Sequence, residues 1–184
     1  AGFAWPGALS ARAVEVTLGP PQATSRFGVA DLGGRLGSGG LAGSFADADI
    51  ELAAVPLDLR QAGGSWQMDG GALRLTGVGF ELTDRQPEAR FSPLAARDAE
   101  LTLADNRVSA LARLRHPGSD RVVADVRIAH DLAAGAGHAD LVVDGLQFDD
   151  ALQPDQLSDL ALGVIANVRG AVSGTGRIDW SGAG

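Results

Sequence analysis

Residues 107–115 read RVSALARLR, and residues 121–128 read RVVADVRI. In both stretches apolar side chains occupy every second position, and arginine, serine or aspartate fills most of the positions between them. This period of two is typical of a β-strand with one apolar and one polar face, because successive side chains point to opposite sides of a strand. Residues 117–120 (PGSD) are turn formers, so the two stretches are predicted to be antiparallel neighbours.

The same alternation recurs along most of the chain and predicts an all-β fold. The further alternating segments are 13–18, 50–54, 73–75, 80–83, 99–103, 139–143, 162–168 and 172–180. Asp105 and Asn106, between two such segments, predict a tight hairpin turn. A strand every ten to fifteen residues with short turns between strands indicates an extended antiparallel meander, in a single unit spanning 1–184. At most one short helix is expected, near 154–160, where Pro154 and Asp155 suit a helix N-terminus.

Two stretches are expected to be irregular. Residues 33–43 contain so many glycines that a packed strand is not predicted there. Residues 84–93 carry Pro87 and Pro93 and are predicted to form a connection.

Composition excludes several classes of function. The net charge is −8, and all 15 basic residues are arginines scattered along the chain, so the surface would repel nucleic acid. The chain has no cysteine, which excludes disulfides and thiolate chemistry. Its longest apolar run, 160–166, is too short to cross a bilayer.

No pattern for catalysis or metal binding is found, so the protein is predicted not to be an enzyme and to need no cofactor or metal. His130 and His138 have nearby aspartates and would lie on adjacent strands, but we interpret all three histidines, with His116, as residues of strand ends and turns. No nucleophile elbow or phosphate-binding loop with a lysine is present. Carboxylate pairs such as Asp47 and Asp49 are interpreted as solvated turn residues.

The apolar faces of the predicted strands must be covered, either by folding into a self-filled sandwich or by a ligand held in a curled, apolar trough. Aromatic residues make up only 5% of the chain, and many inward positions are alanine, which favours a smooth groove for acyl chains. The alternative is a structural or adhesive cell-surface β-repeat with a self-packed core. The residues predicted to line the groove are Leu101, Leu103, Val108, Leu114, Val122, Val126, Ile128, Leu141, Val143, Val164 and Val168.

The C-terminal half resembles the YdbH family of bacterial AsmA-like proteins. The resemblance is carried by residues 91–94 (FSPL), 113–117 (RLRHP) and 126–135 (VRIAHDLAAG). Further similar stretches are 146–148, 152–154, 162–168 and 174–180. Together they cover roughly residues 91 to 180, and the N-terminal half is similar only in its rhythm of strands and turns.

This resemblance implies a periplasmic segment of a much longer protein related to TamB and AsmA. Its fold would be a β-taco-like groove through which phospholipids pass between the inner and outer membranes. The expected partners are phospholipid acyl chains, flanking segments of the parent chain, and proteins of the inner or outer membrane. The parent would be anchored in the inner membrane outside this chain, and the family offers no catalytic residues to carry over.

Overall fold

The computed structural model describes residues 7–18, 24–37, 39–52, 55–163 and 167–181, and their strands form one antiparallel sheet in which each strand pairs with its neighbours along the chain. The sheet is open, with β1 at one edge and β10 at the other. The strands are β1 (Ala8–Leu18), β2 (Ser25–Gly37), β3 (Gly40–Glu51), β4 (Leu57–Asp69), β5 (Ala72–Asp84), β6 (Leu94–Ala104), β7 (Arg107–Arg115), β8 (Val122–Asp131), β9 (Ala136–Phe148) and β10 (Gly170–Ser181).

The predicted all-β antiparallel meander is confirmed. Within the described residues the only helical segments are two 3-10 turns, Pro154–Gln156 and Asp159–Ala161, in the region where one short helix was expected. The hairpin turn at Asp105 and Asn106 is confirmed as well. Both residues have positive φ, 49° and 59°, as the tight turn that matches strand twist requires.

The expectation that residues 33–43 are irregular is wrong, since β2 and β3 run through most of this stretch. The indole of Trp66 on β4 lies across β3 and reaches β2. Its Nε1 donates to the carbonyl oxygens of Gly33 on β2 (3.1 Å) and Ser44 on β3 (3.3 Å). A Cβ on Gly34 would lie only 2.5 Å from the Trp66 ring. The glycines therefore accommodate a large side chain from another strand.

The strand expected over residues 162–168 is not formed. Leu162 and Gly163 belong to a turn, Val168 is not in a strand, and residues 164–166 lie outside the described part. Gly163 has a φ of 72°, which breaks an extended conformation. Alternation alone did not distinguish this connection from a strand.

Along several strands, successive apolar-face residues are two positions apart except at one point, where they are three positions apart. On β4, for example, Leu59 and Ala62 pair with Ile50 and Ala48, so both face the same side although three positions separate them. Equivalent steps occur at 11–14, 29–32, 45–48, 75–78, 96–99 and 143–146. Residues with positive φ lie inside five of the seven steps: Ala13, Asp47, Gln61, Gly77 and Gly145. These steps act as β-bulges that restore the facing of the strands.

The two rims of the sheet differ. One rim, which we call the turn rim, carries the short connections between β2 and β3, β4 and β5, β6 and β7, and β8 and β9. The opposite rim, which we call the loop rim, carries the other connections. The longest of these join β5 to β6 (residues 85–93, confirmed as irregular) and β9 to β10 (residues 149–169).

Part of the β9–β10 connection, residues 153–162, folds back along the loop rim, and we call it the strap. The backbone N–H of Ser92 donates to the carbonyl of Leu157 (2.8 Å), and the Ser158 hydroxyl donates to the carbonyl of Arg90 (2.6 Å). The Leu157 side chain packs against the two buried clusters of the sheet, one centred on Leu94 and Leu114 and the other on Leu146 and Phe148. The strap thus bridges β9 and the β5–β6 connection, past β7 and β8.

Asp84 holds the β5–β6 connection in shape. Its buried carboxylate accepts hydrogen bonds from the backbone N–H groups of Gln86 and Arg90 (both 3.0 Å) and from the Arg90 guanidinium (2.6 Å). These donors, the Arg90 side chain above all, lower the pKa of Asp84 to about 2, against the opposing effect of burial. The connection that meets the strap is therefore fixed by an ionised aspartate.

We expect Gly43→Ala to destabilise the protein, while Gly33→Ala leaves its stability nearly unchanged. A Cβ at Gly43 would overlap the backbone of Gly33 and Gly34, whereas a Cβ at Gly33 meets no atom within 4 Å. Overpacking of this kind costs about 1–3 kcal/mol. Urea denaturation of the two variants measures the difference. Equal unfolding free energies would contradict the close approach of β2 and β3.

We expect Asp84→Asn to lower the free energy of unfolding at pH 7 by about 1–2 kcal/mol, because Arg90 is half exposed to water and the ion pair is partly screened. The pKa of Asp84 is lower in the folded than in the unfolded chain, so the stabilisation is complete above about pH 4 and is lost as the pH falls towards 2. Denaturation of both proteins from pH 7 to pH 2 tests this. Asp98→Asn, at an exposed aspartate of β6, is the control. A gap between wild type and Asp84→Asn that stays constant down to pH 2 would refute the role of this carboxylate.

Candidate functional site

Cross-strand partners define continuous rows of apolar side chains on one face of the sheet. Residues directly opposite each other in an antiparallel pair share a face, so the register can be followed from strand to strand. One row runs Trp66, Leu75, Leu101, Ala110, Ile128, Ala139 and Ile178. A second row, farther from the turn rim, contains Ala112, Val126, Leu141 and Gly176. We call this side of the sheet the apolar face.

Among the described strand residues, Asp84 is the single arginine, aspartate or glutamate at an apolar-face position. Its carboxylate accepts hydrogen bonds from the β5–β6 connection. The other charged side chains of the strands lie on the opposite side, the outer face. There they form cross-strand ion pairs such as Arg113 with Asp125 (2.8 Å) and Arg177 with Asp140 (3.0 Å). Because these pairs are exposed, they contribute solubility and register more than stability.

Burial differs between the two faces. Every buried hydrophobic side chain of the described strands lies on the apolar face, among them Ala62, Val78 and Leu114. The apolar face is nevertheless not fully covered, since Leu36 at the turn rim is 61% exposed and Ile178 on β10 is 49% exposed. The face therefore combines a covered middle with accessible apolar margins.

The accessible surface agrees with an open sheet. It measures 11,697 Å², whereas a compact monomer of this mass exposes roughly 8,300 Å². A single layer of strands cannot bury both of its faces. The arrangement leaves apolar area available to another molecule.

Eight of the groove residues predicted from the sequence occupy apolar-face positions in register. They are Leu101, Leu103, Val108, Leu114, Val126, Ile128, Leu141 and Val143. The structure thus brings these side chains to one surface.

The other three predicted groove residues are placed differently. Val122 is exposed and pairs with Arg115 at an irregular point of the register, and its neighbour Val123 packs against the buried clusters instead. Val168 is half-buried against Leu146 and Phe148 beside the strap. Val164 lies outside the described residues.

Sequence reasoning missed the aromatic residues of the apolar face. Trp66 on β4 covers glycines of β2 and β3, and Trp180 on β10 covers Gly137 of β9. The indole N–H of Trp180 donates to Nδ1 of His130 on β8, at 3.1 Å. Each tryptophan reaches two strands away, so neither contact leaves a local sequence pattern.

The described residues offer no constellation for catalysis or metal binding. No group of three or more histidine, aspartate or glutamate side chains within them is arranged to hold a metal ion. His130 lies on the apolar face and His138 on the outer face, where it approaches Asp140 (3.7 Å). His116 hydrogen-bonds Ser119 within the β7–β8 connection. The surface is suited to covering apolar material.

No helix in the described part of the chain is both long and apolar enough to cross a membrane. A sequence model of the YdbH-like family, described as intermembrane phospholipid transport protein YdbH, matches residues 1–184, the whole chain. The match therefore also includes the N-terminal half, which resembles the family only in its rhythm of strands and turns. Comparisons with curated proteins and with solved structures gave no significant match.

Proposed function

The chain belongs to the YdbH-like family of intermembrane phospholipid transport proteins, and from that premise we propose that its apolar face is a trough segment that shields phospholipid acyl chains during transport. The proposal rests on the separation of apolar and charged side chains onto opposite faces of the sheet. Rows of aliphatic side chains run across the sheet, and the charged side chains of the described strands, Asp84 excepted, lie on the outer face. An acyl chain lying on such a surface meets no charge that must be desolvated.

Small residues in the middle of the face leave room for a ligand. Ala110, Ala112 and Ala139 alternate with Val126 and Leu141 in adjacent rows, so no aromatic side chain fills this part of the sheet. Each acyl methylene removed from water contributes about 0.8 kcal/mol, and ten of them contribute about 8 kcal/mol without any specific polar contact. Affinity for apolar chains of varied structure follows from this physics.

The burial of hydrophobic side chains on one face supports the trough. A flat single layer would expose both faces equally, yet the buried hydrophobic side chains of the described strands all lie on one of them. Phe45 on β3 also packs against the cluster formed by Val78, Leu94 and Leu114. Contacts of this kind support a face that curves into a trough.

The mechanism is passive. Acyl chains move along the apolar rows, perpendicular to the strands, while the headgroups stay hydrated at the opening between the two rims. No covalent step and no cofactor is involved. The segment works in the periplasm as part of a longer chain anchored in the inner membrane, with flanking segments and membrane proteins continuing the path at its ends.

A matched pair of variants tests the proposal. Leu141 and Val142 are consecutive on β9, the first on the apolar face and the second on the outer face beside Asp125. We expect Leu141→Arg to reduce bound phospholipid about tenfold, since an arginine in the path imposes the cost of desolvating a charge. Val142→Arg introduces the same charge on the other face and should retain its lipid.

Native mass spectrometry after incubation with phospholipid vesicles measures occupancy, and circular dichroism confirms that both variants are folded. Equal occupancy in the two variants would reject the assignment of the apolar face. A folded wild-type protein that takes up no phospholipid would instead support the self-packed structural β-repeat.

A further inference from the structure

The row nearest the turn rim changes character along the sheet. From β2 to β7 it consists of aliphatic or methionine side chains, namely Leu36, Leu41, Met68, Leu73, Leu103 and Val108. On β8, β9 and β10 the same row continues as His130, Gly137 and Trp180. His130 thus places an imidazole where the aliphatic part of this row ends.

Its orientation is fixed by its neighbours. Trp180 Nε1 lies 3.1 Å from His130 Nδ1, and the ring centroids are 6.0 Å apart with a 35° tilt. Gly137 lies between the two residues, and a Cβ there would approach both the indole and the imidazole to 2.8 Å. Glycine at position 137 therefore allows the two rings to meet, whereas the Cβ of any other residue would push them apart.

This hydrogen bond decides which nitrogen of His130 carries the proton. An indole N–H can only donate, so Nδ1 is the acceptor and the ring N–H is at Nε2. Within the described part of the chain, Nε2 has no hydrogen-bond partner, and the residue is half-buried. Nε2 is not one of the buried, unpartnered side-chain atoms of the described residues, so its N–H is open to water, and a ligand oxygen can take the place of that water.

We propose that His130 Nε2–H donates a hydrogen bond to the phosphodiester of a glycerophospholipid whose acyl chains lie on the apolar face. This inference rests on the proposed function, which brings a phosphate-bearing ligand to the rim. Trp180 orients the imidazole and presents an amphipathic ring where the apolar face meets water, a position that tryptophan favours at lipid interfaces.

There is open space for a headgroup next to Trp180, the hydrogen-bond partner of His130. A depression of about 460 Å³ borders Trp180 at the turn-rim end of β9 and β10. It is lined by Ala136, Gly137, His138, Asp179, Trp180 and Ser181. The headgroup would therefore lie at the rim in contact with water, with its glycerol towards the apolar row.

The test compares two soluble ligands with the same acyl chains, dioctanoyl phosphatidylethanolamine and dioctanoylglycerol, which lacks the phosphate. We expect the wild-type protein to prefer the phospholipid about tenfold, the effect of one hydrogen bond to a charged group. His130→Phe should bind dioctanoylglycerol as before but lose the preference. His116→Phe, in the β7–β8 connection at the opposite, loop rim, is the matched control and should keep it.

Trp180→Phe provides a second measurement, because it retains an aromatic ring but removes the donor that orients the imidazole. We expect it to weaken the preference without abolishing binding of dioctanoylglycerol. Preservation of the tenfold preference in His130→Phe would overturn the inference while leaving the proposed function intact. If inorganic phosphate alone displaces the phospholipid, the site binds free phosphate and the headgroup assignment is wrong. Failure of the wild type to bind either lipid would refute the proposed function, and the inference with it.

Discussion

Keeping ten strands in phase is the constraint on which the rest of the structure depends. In a strand, a shift of one residue moves every side chain to the opposite face, and this sheet has one face for apolar side chains and one for charges. The three-residue steps maintain that phase where strict alternation would break it. On β5, for instance, Leu75 and Val78 share the apolar face because Gly77 adopts a positive φ between them. Without such a step, the part of the strand beyond it would present its apolar side chains to the outer face.

The difference between the two rims follows from how the chain connects the strands. The tight connections of the turn rim add little material, so the apolar row beside them stays accessible, as Leu36 and Met68 show. The loop rim carries the strap, whose Leu157 packs against both buried clusters. Access to the apolar face is therefore asymmetric, with one margin closed over β5 to β9 and the other left open.

Local patterns predicted the features that depend on neighbours in sequence. The alternation in 107–115 and 121–128 predicted strands β7 and β8, and the dipeptide Asp105 and Asn106 predicted the tight turn between β6 and β7. Most of the residues on the apolar face of β6 to β9 followed from the same alternation, because the face of a side chain is set by its position in the strand.

Features that depend on distant contacts were not predictable in this way. Gly34 of β2 is compatible with a strand because the ring of Trp66, which belongs to β4, packs over it. The contact of Trp180 with His130 joins residues 50 positions apart. Val122 and Val123 are alike in sequence, and the irregular register at Arg115 determines which of them packs inwards. These placements require the assembled sheet.

Each strand pairs only with the strands that precede and follow it in the chain, so the sheet is built from repeated, sequentially adjacent units. In architectures built this way, stability is a sum of nearest-neighbour terms, and added units do not disturb distant ones. A new hairpin in the middle of the meander would extend the sheet by about 10 Å, twice the interstrand spacing, and every existing ladder but one would be preserved. The width of such a sheet can therefore change by duplication or deletion of hairpins, without a new fold.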